Sequence, residues 1–309
     1  MAKKAYFYID DVIWVFRDLT RKRPASLFDH PFLGALKKAY EEYGVKTQLN
    51  VFYKTSYFYG NDDFCLKEMT DAYKAEWESA SDWLKLAFHA KEEFPDYPHV
   101  NAKYEDVKAI YENITNEIKR FAGEKSIALG ITPHWLPMSY EGVKALYDCG
   151  VRLLNSTYGE ATEYNGDPAS LPYGHALRLL NNRQPETKIF SRKSRDVAIS
   201  NSICAYNHVN PEDFEATFYN LKMIKDEKTG MYFKRFFNSA CLNLTPLDEL
   251  EDEMNECIGS ELVSLATHEQ YFYEEYLAYQ PDYAEKIFKM GEVLKKHGYE
   301  FFFIEEIVE

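Results

Sequence analysis

The stretch Tyr6-Phe7-Tyr8-Ile9-Asp10-Asp11 predicts a buried strand that ends in two adjacent carboxylates. The run at 5–9 is apolar and aromatic, which is typical of a strand in the core of an α/β protein. It has no small-residue cleavage site and meets the two acids at once, so we expect a strand and not a signal peptide. Catalytic groups of barrels and open α/β sheets follow the carboxyl ends of parallel strands. The pair Asp10 and Asp11 is therefore the first candidate functional group, although acids here are also typical of an ordinary turn.

Three segments repeat one order of elements: a helix, a glycine and a strand. The first runs from a predicted helix at 31–43 through Gly44 to a strand at 45–53, and the others centre on Gly150 and Gly298. Glycine ends many helices because it adopts the left-handed conformation at little cost. Helices that alternate with strands favour a parallel sheet or a barrel, so we expect an α/β fold.

The segments between these units are less regular. Helical patterns cover 66–86 and 104–120, and 188–207 and 231–244 alternate like strands on either side of a helix predicted at 211–223. The stretch 158–185 is rich in glycine and proline, which predicts a loop inserted at a barrel rim. We expect one domain over 1–309 that carries an atypical, β-rich insertion at about 158–246.

Composition limits the possible functions. Lys+Arg is 36 and Asp+Glu is 50, so the net charge of 36 − 50 = −14 disfavours nucleic acid and anionic membranes as partners. The sequence contains no run of eighteen apolar residues, so we expect no membrane-spanning helix. The five cysteines form no CxxC pair, which indicates reduced thiols and a cytoplasmic location. Aromatic residues make up 16% of the chain and suit both stacking on sugar rings and an ordinary core. The oligomeric state is left open.

Three further predicted strand ends carry histidine. His89 ends an apolar run, with Glu93 and His99 shortly after it; His134 precedes Trp135; and His268 ends the strand at 262–267. Imidazole and carboxylate groups together suit zinc or a similar divalent ion. Each signal alone is also typical of a hydrogen-bonded core histidine or a capping residue. Their occurrence at successive strand ends favours a functional edge of the sheet.

These residues resemble the polysaccharide deacetylase family of the glycoside hydrolase/deacetylase barrel superfamily, in divergent form. The resemblance implies a distorted (β/α) barrel of about seven strands, with Asp10 as general base and Asp11 as metal ligand. The family has two metal-binding histidines four residues apart, where this chain has His89 and then Glu93. The missing ligand is then one of three: Glu93 through oxygen, or His99 or His134 through nitrogen.

The resemblance also implies the remaining roles. Arg120, in Arg120-Phe121-Ala122-Gly123, would orient the base, and His268 would protonate the leaving group. The implied activity is metal-dependent hydrolysis of an acetyl group on a carbohydrate or related small substrate, with zinc as the expected cofactor. Two alternatives stay open: a degenerate barrel that binds a glycan or metabolite without cutting it, and a glycoside hydrolase that uses paired carboxylates.

Overall fold

The computed structural model describes residues 3–55, 63–95, 98–99, 102–136, 138–156, 223–234, 236 and 239–308. The insertion predicted at 158–246, including the strands at 188–207 and most of the helix at 211–223, lies largely outside these residues. Across the described part of the chain no helix is both long enough and apolar enough to cross a bilayer.

Strands and helices alternate along most of the described chain. The strands are β1 (Lys3–Val12), β2 (Thr47–Phe52), β3 (Leu84–Ala90), β4 (Gly130–Ile131), β5 (Leu153–Leu154), β6 (Ile224–Lys225), β7 (Tyr232–Phe233), β8 (Ser239–Cys241), β9 (Leu262–His268) and β10 (Tyr299–Phe301). The helices are α1 (Trp14–Lys22), α2 (Pro31–Tyr43), α3 (Lys74–Ser79), α4 (Tyr104–Phe121), α5 (Tyr140–Asp148), α6 (Leu250–Asn255) and α7 (Tyr283–Lys296).

The central sheet is parallel and places the ends of its strands on one edge. Its order is β3-β2-β1-β9-β8, with β10 paired to the start of β1. A second sheet has the order β4-β5-β7-β6, in which the pair β6 and β7 is antiparallel. A parallel bridge between Leu86 and Ile127 brings the approach to β4 alongside β3. The chain is therefore mixed α/β with a mostly parallel sheet, as the sequence predicts.

Local signals explain where the elements begin and end. Helix α2 has Pro31 at its first turn and Gly44 at its end, with φ of 76°, and its bounds confirm the prediction for 31–43. The helix predicted at 104–120 is also confirmed, as α4. The helix predicted over 66–86 is wrong, because that segment holds a 3-10 turn at Leu66–Glu68 and the short α3 before it enters β3. Residues Leu86–Ala90 are all buried, so their apolar run lacks the alternation that distinguishes a strand from a buried helix.

Candidate metal centre

An irregularity near the carboxyl end of β1 places the side chains of Asp10 and Asp11 close to the same neighbouring side chain. Its pairing with β2 shifts register between Ile9 and Val12, and Asp11 has a left-handed backbone with φ of 63°. Successive strand residues normally point to opposite faces. Here the shift lets Asp10 and Asp11 both approach His89, at 3.8 Å from Nδ1 and 3.2 Å from Nε2 respectively. The irregular strand end thus produces a pair of carboxylates facing one imidazole.

Three ligand atoms from three strand ends converge on one point. Asp11 Oδ1 lies 3.2 Å from His89 Nε2 and 3.3 Å from His134 Nδ1, and the two nitrogens are 3.1 Å apart. His89 belongs to β3 and His134 follows β4, so the site spans both sheets. Atoms held at about 2.0–2.1 Å around a tetrahedral zinc ion are separated by about 3.3 Å. The three side chains therefore have the spacing of a metal ligand set.

The imidazole orientations leave lone pairs facing the point of convergence. His89 Nδ1 lies 2.7 Å from the carbonyl oxygen of Thr132, and His134 Nε2 lies 3.1 Å from that of Glu93. A carbonyl only accepts hydrogen bonds, so these nitrogens are the donors. In the neutral rings, His89 Nε2 and His134 Nδ1 then carry lone pairs. Bonds of this kind to the second nitrogen fix the tautomer of metal-binding histidines.

The convergent atoms favour a positive charge between them, either a proton on His134 or a bound cation. Asp11 Oδ1 is buried and receives no hydrogen bond of acceptable geometry from the residues that the structure describes. Burial alone favours the neutral acid, but His134 and His89 hold the pKa of Asp11 well below its usual range. Burial likewise works against a charged His134, yet the Asp11 carboxylate raises the pKa of His134 to about 9. A divalent cation would satisfy all three atoms at once, and the two nitrogens and one oxygen suit zinc.

His99 and Glu93 support the site without joining this ligand set, which consists of Asp11, His89 and His134. His99 Nε2 lies 3.0 Å from the His89 carbonyl oxygen, and burial lowers the pKa of His99 to about 3, so the ring is neutral and donates that bond. Glu93 contributes its backbone carbonyl to His134. Of the three residues that sequence reasoning left open, the structure brings His134 to ligand distance.

Arg120 is not brought to the acid pair. It lies in the last turn of α4, where its guanidinium donates to the carbonyl oxygens of Met69 and Leu66 and pairs with Glu117. These bonds fix α4 to the segment before α3. The side chain that contacts Asp10 is instead Asn50 of β2, whose Nδ2 donates to Asp10 Oδ1 at 2.6 Å. Sequence reasoning missed Asn50, although an asparagine inside an apolar strand was a usable signal.

His268 stands beside Asp10 on the neighbouring strand. The Cα of Asp10 is paired in register with that of His268, and His268 Nδ1 lies 3.0 Å from Asn243 Oδ1. Burial raises the pKa of Asp10, while the nearby His89 and His268 side chains and the Asn50 hydrogen bond oppose that rise. A carboxylate whose pKa is raised is a better proton acceptor near neutral pH. The pair therefore offers a proton acceptor and a proton donor on adjacent strands.

Glu269 links this edge to the start of α1. Its carboxylate is completely buried and accepts the backbone N–H groups of Ile13, Trp14 and Val15 at 2.7, 2.8 and 2.7 Å. These are the otherwise unsatisfied donors at the beginning of a helix. Glu269 directly follows His268, so its side chain connects the end of β9 to the segment between Asp11 and α1.

Glu269→Leu should therefore destabilise the fold strongly. It leaves three buried N–H groups without an acceptor, and each costs about 1–3 kcal/mol, so we expect the free energy of unfolding to fall by at least about 3 kcal/mol. Urea titration measures it. Glu274→Leu, at an exposed neighbouring position, should change stability by no more than about 0.5 kcal/mol. Equal losses in the two variants would contradict this role for Glu269.

Aromatic rings and strained backbone surround the ligand set. Phe52 packs against the rings of His89 and His134 at centroid distances of 5.3 and 5.0 Å, and the Trp135 ring lies 6.1 Å from that of His134. Trp135 and Leu136 have φ of 59° and 73°, like Asp11 in the left-handed region. Such strain in residues other than glycine collects at functional sites, where the surroundings enforce it.

No protein-family model and no curated protein matches this chain. Among solved structures it aligns along its full length with 4-alpha-glucanotransferase from Thermococcus litoralis, at 10% identity and a TM-score of 0.53, covering 40% of that chain. A family 4 carbohydrate esterase from Bacillus anthracis aligns at 14% identity and a TM-score of 0.38, over 99% of this chain and 83% of that one. A CE4 family pseudoenzyme from Bacillus anthracis aligns at 10% identity and a TM-score of 0.41, over 100% of this chain and 66% of that one.

These similarities concern the fold. The glucanotransferase alignment, at a TM-score of 0.53, shows that the chain has a similar α/β fold. The chain spans 40% of the length of the glucanotransferase. At this level of identity the chemistry has to be argued from the site itself.

Proposed function

We propose that this chain is a metal-dependent hydrolase that removes an acetyl or similar acyl group from a carbohydrate or related small substrate. The observation that carries the proposal is the convergence of Asp11 Oδ1, His89 Nε2 and His134 Nδ1 beside Asp10.

Each residue of the site then has a defined task. A divalent cation held by Asp11, His89 and His134 would supply a Lewis acid next to the scissile acyl group. Asp10 accepts the proton of the attacking water, with Asn50 occupying its Oδ1. His268, on the adjacent strand, donates a proton to the departing amine or alcohol. Proton transfer by one positioned side chain contributes roughly 10²–10⁴-fold to rate.

The geometry favours this function over the two alternatives. The degenerate, non-cutting barrel was suggested by the lack of a second histidine four residues after His89, and the end of β4 supplies a second imidazole in His134. A glycoside hydrolase needs two carboxylates across a cleft and no cation. Here one of the two acids at the site, Asp11, faces two histidines.

Acyl release tests the proposal directly. Purified protein loaded with zinc or cobalt should release acetate from N-acetylated or O-acetylated oligosaccharides, and chelation should stop the release. Metal uptake without hydrolysis of any acetyl amide or ester would overturn the proposal in favour of a binding protein. New reducing ends formed in the presence of chelator would overturn it in favour of a glycoside hydrolase.

The remaining expectations belong to the same proposal. We propose a single domain over 1–309 with an atypical insertion at about 158–246, a distorted barrel of about seven strands, and a cytoplasmic location. In a cytoplasmic protein, the expected substrate of such a site is an oligosaccharide or a metabolite and not a cell-wall polymer. The acidic net charge of −14 supports a substrate that is neither nucleic acid nor membrane.

A further inference from the structure

Two buried amides connect the candidate base to the second sheet. Gln48 and Asn50 lie two residues apart on β2, so their side chains point to the same face, and both are completely buried. Gln48 Nε2 donates to the carbonyl oxygen of Gly130 at 3.1 Å and to Asn50 Oδ1 at 2.8 Å. Asn50 Nδ2 in turn donates to Asp10 Oδ1 at 2.6 Å. Gln48 therefore donates both to the start of β4 and to Asn50, and Asn50 donates to the candidate base.

The direction of these bonds is fixed by chemistry. The Gly130 carbonyl only accepts, so the NH₂ group of Gln48 must face it. That same NH₂ group reaches Asn50, which must therefore present its oxygen to Gln48 and its own NH₂ to Asp10. A reversed Asn50 amide would place its oxygen against a carboxylate oxygen at 2.6 Å. Gln48 thus determines which end of Asn50 meets Asp10.

The fold alone does not explain this arrangement. Every residue of β2 is buried, and apolar side chains would fill such a strand at lower desolvation cost. Gln48 Oε1 is itself buried without a hydrogen-bond partner among the described residues, which is an additional cost. Buried polar groups that are costly for stability are typical of sites where they serve a function.

We propose that Asn50, oriented by Gln48, is the positioning residue for Asp10. This inference rests on the proposed function: Asn50 holds Oδ1 of the carboxylate in one place, so that Oδ2 faces the attacking water. Because Arg120 is bound elsewhere, the amide pair performs the orienting task that the family resemblance implied for that arginine. In the part of the chain that the structure describes, neither amide hydrogen-bonds to Asp11, His89 or His134.

Kinetics of two near-isosteric variants test the proposal on zinc-loaded protein. Asn50→Leu removes the donor to Asp10 and should lower kcat by about ten- to a hundredfold, the effect of one hydrogen bond to a charged group. Gln48→Met, which does not touch Asp10, should lower kcat by about three- to tenfold by releasing the Asn50 amide to rotate. KM and zinc content should stay at the wild-type values in both. The double variant should be no slower than Asn50→Leu, because both changes act through one hydrogen bond.

The outcomes separate this inference from the proposed function. An active wild type with unchanged kcat in both single variants overturns the positioning role and leaves the hydrolase intact. A purely structural role predicts lower stability and zinc content without a selective loss of kcat, and multiplicative effects in the double variant. If the wild type releases no acetate, the proposed function fails. Crystal structures of wild type and Gln48→Met then decide the geometry, which is refuted if Asn50 keeps the same bond to Asp10 in both.

Discussion

His134→Ala is expected to abolish stoichiometric binding of a divalent cation and, with it, turnover. The change removes one of three ligands and leaves His89 and Asp11, which cannot complete a tetrahedral site. Loss of a residue that merely hydrogen-bonds a ligand costs 10–100-fold in metal affinity, so loss of a ligand should cost at least ~100-fold. Metal analysis of protein purified without chelator and calorimetric titration with zinc measure the effect.

Two further variants make that result specific. Glu93→Gln keeps the backbone carbonyl that accepts the His134 hydrogen bond, so zinc should still bind at one equivalent. His297→Ala removes a histidine that follows α7, near the start of β1 at the opposite end of the sheet, and should also leave binding unchanged. Zinc retained in His134→Ala, or lost equally in Glu93→Gln, would show that the ligand set has been assigned incorrectly.

The sequence predicted those parts of the fold that depend on local signals. Pro31 and Gly44 delimit α2 because proline suits the first turn of a helix and glycine tolerates the left-handed end. The acid pair after 5–9 indicated the carboxyl end of β1 for a similar reason, since two adjacent acids end an apolar run. The error at 66–86 arose where burial removes alternation from β3. There the sheet partner, and not local preference, determines the strand.

The candidate site was predictable only where its residues lie next to recognisable strand ends. Asp11 and His89 met that condition, and His134 was one of three residues left open. Whether Glu93, His99 or His134 faces Asp11 depends on how β4 lies against β3, which is a contact between residues 45 positions apart. The family motif places the second histidine on the same segment as the first, and here β4 provides it. Asn50 was missed because an asparagine inside an apolar strand marks a buried amide but not the residue that the amide contacts, which is Asp10 on the neighbouring strand.

The identity of the base rests on Asp10, and its neutral isostere gives the most direct test. Asp10→Asn should lower kcat by about 10²–10⁴-fold while zinc content stays at the wild-type level. The amide oxygen of the new side chain still accepts the hydrogen bond from Asn50, so the position of residue 10 is preserved and only the capacity to accept a proton is lost. Acetate release under saturating substrate, together with metal analysis of the same preparation, measures both quantities.

Asp82→Asn is the matched control, because Asp82 is an exposed aspartate just before β3. It should retain wild-type kcat and zinc. An Asp10→Asn protein that turns over within about tenfold of wild type would exclude Asp10 as the base, since a proton-transfer group contributes more than that. If Asp10→Asn also lost zinc, the result would indicate that Asp10 and Asp11 both bind the cation. The separation expected here follows from the contacts: Asp11 Oδ1 faces two imidazole lone pairs, whereas Asp10 Oδ1 is held by an amide.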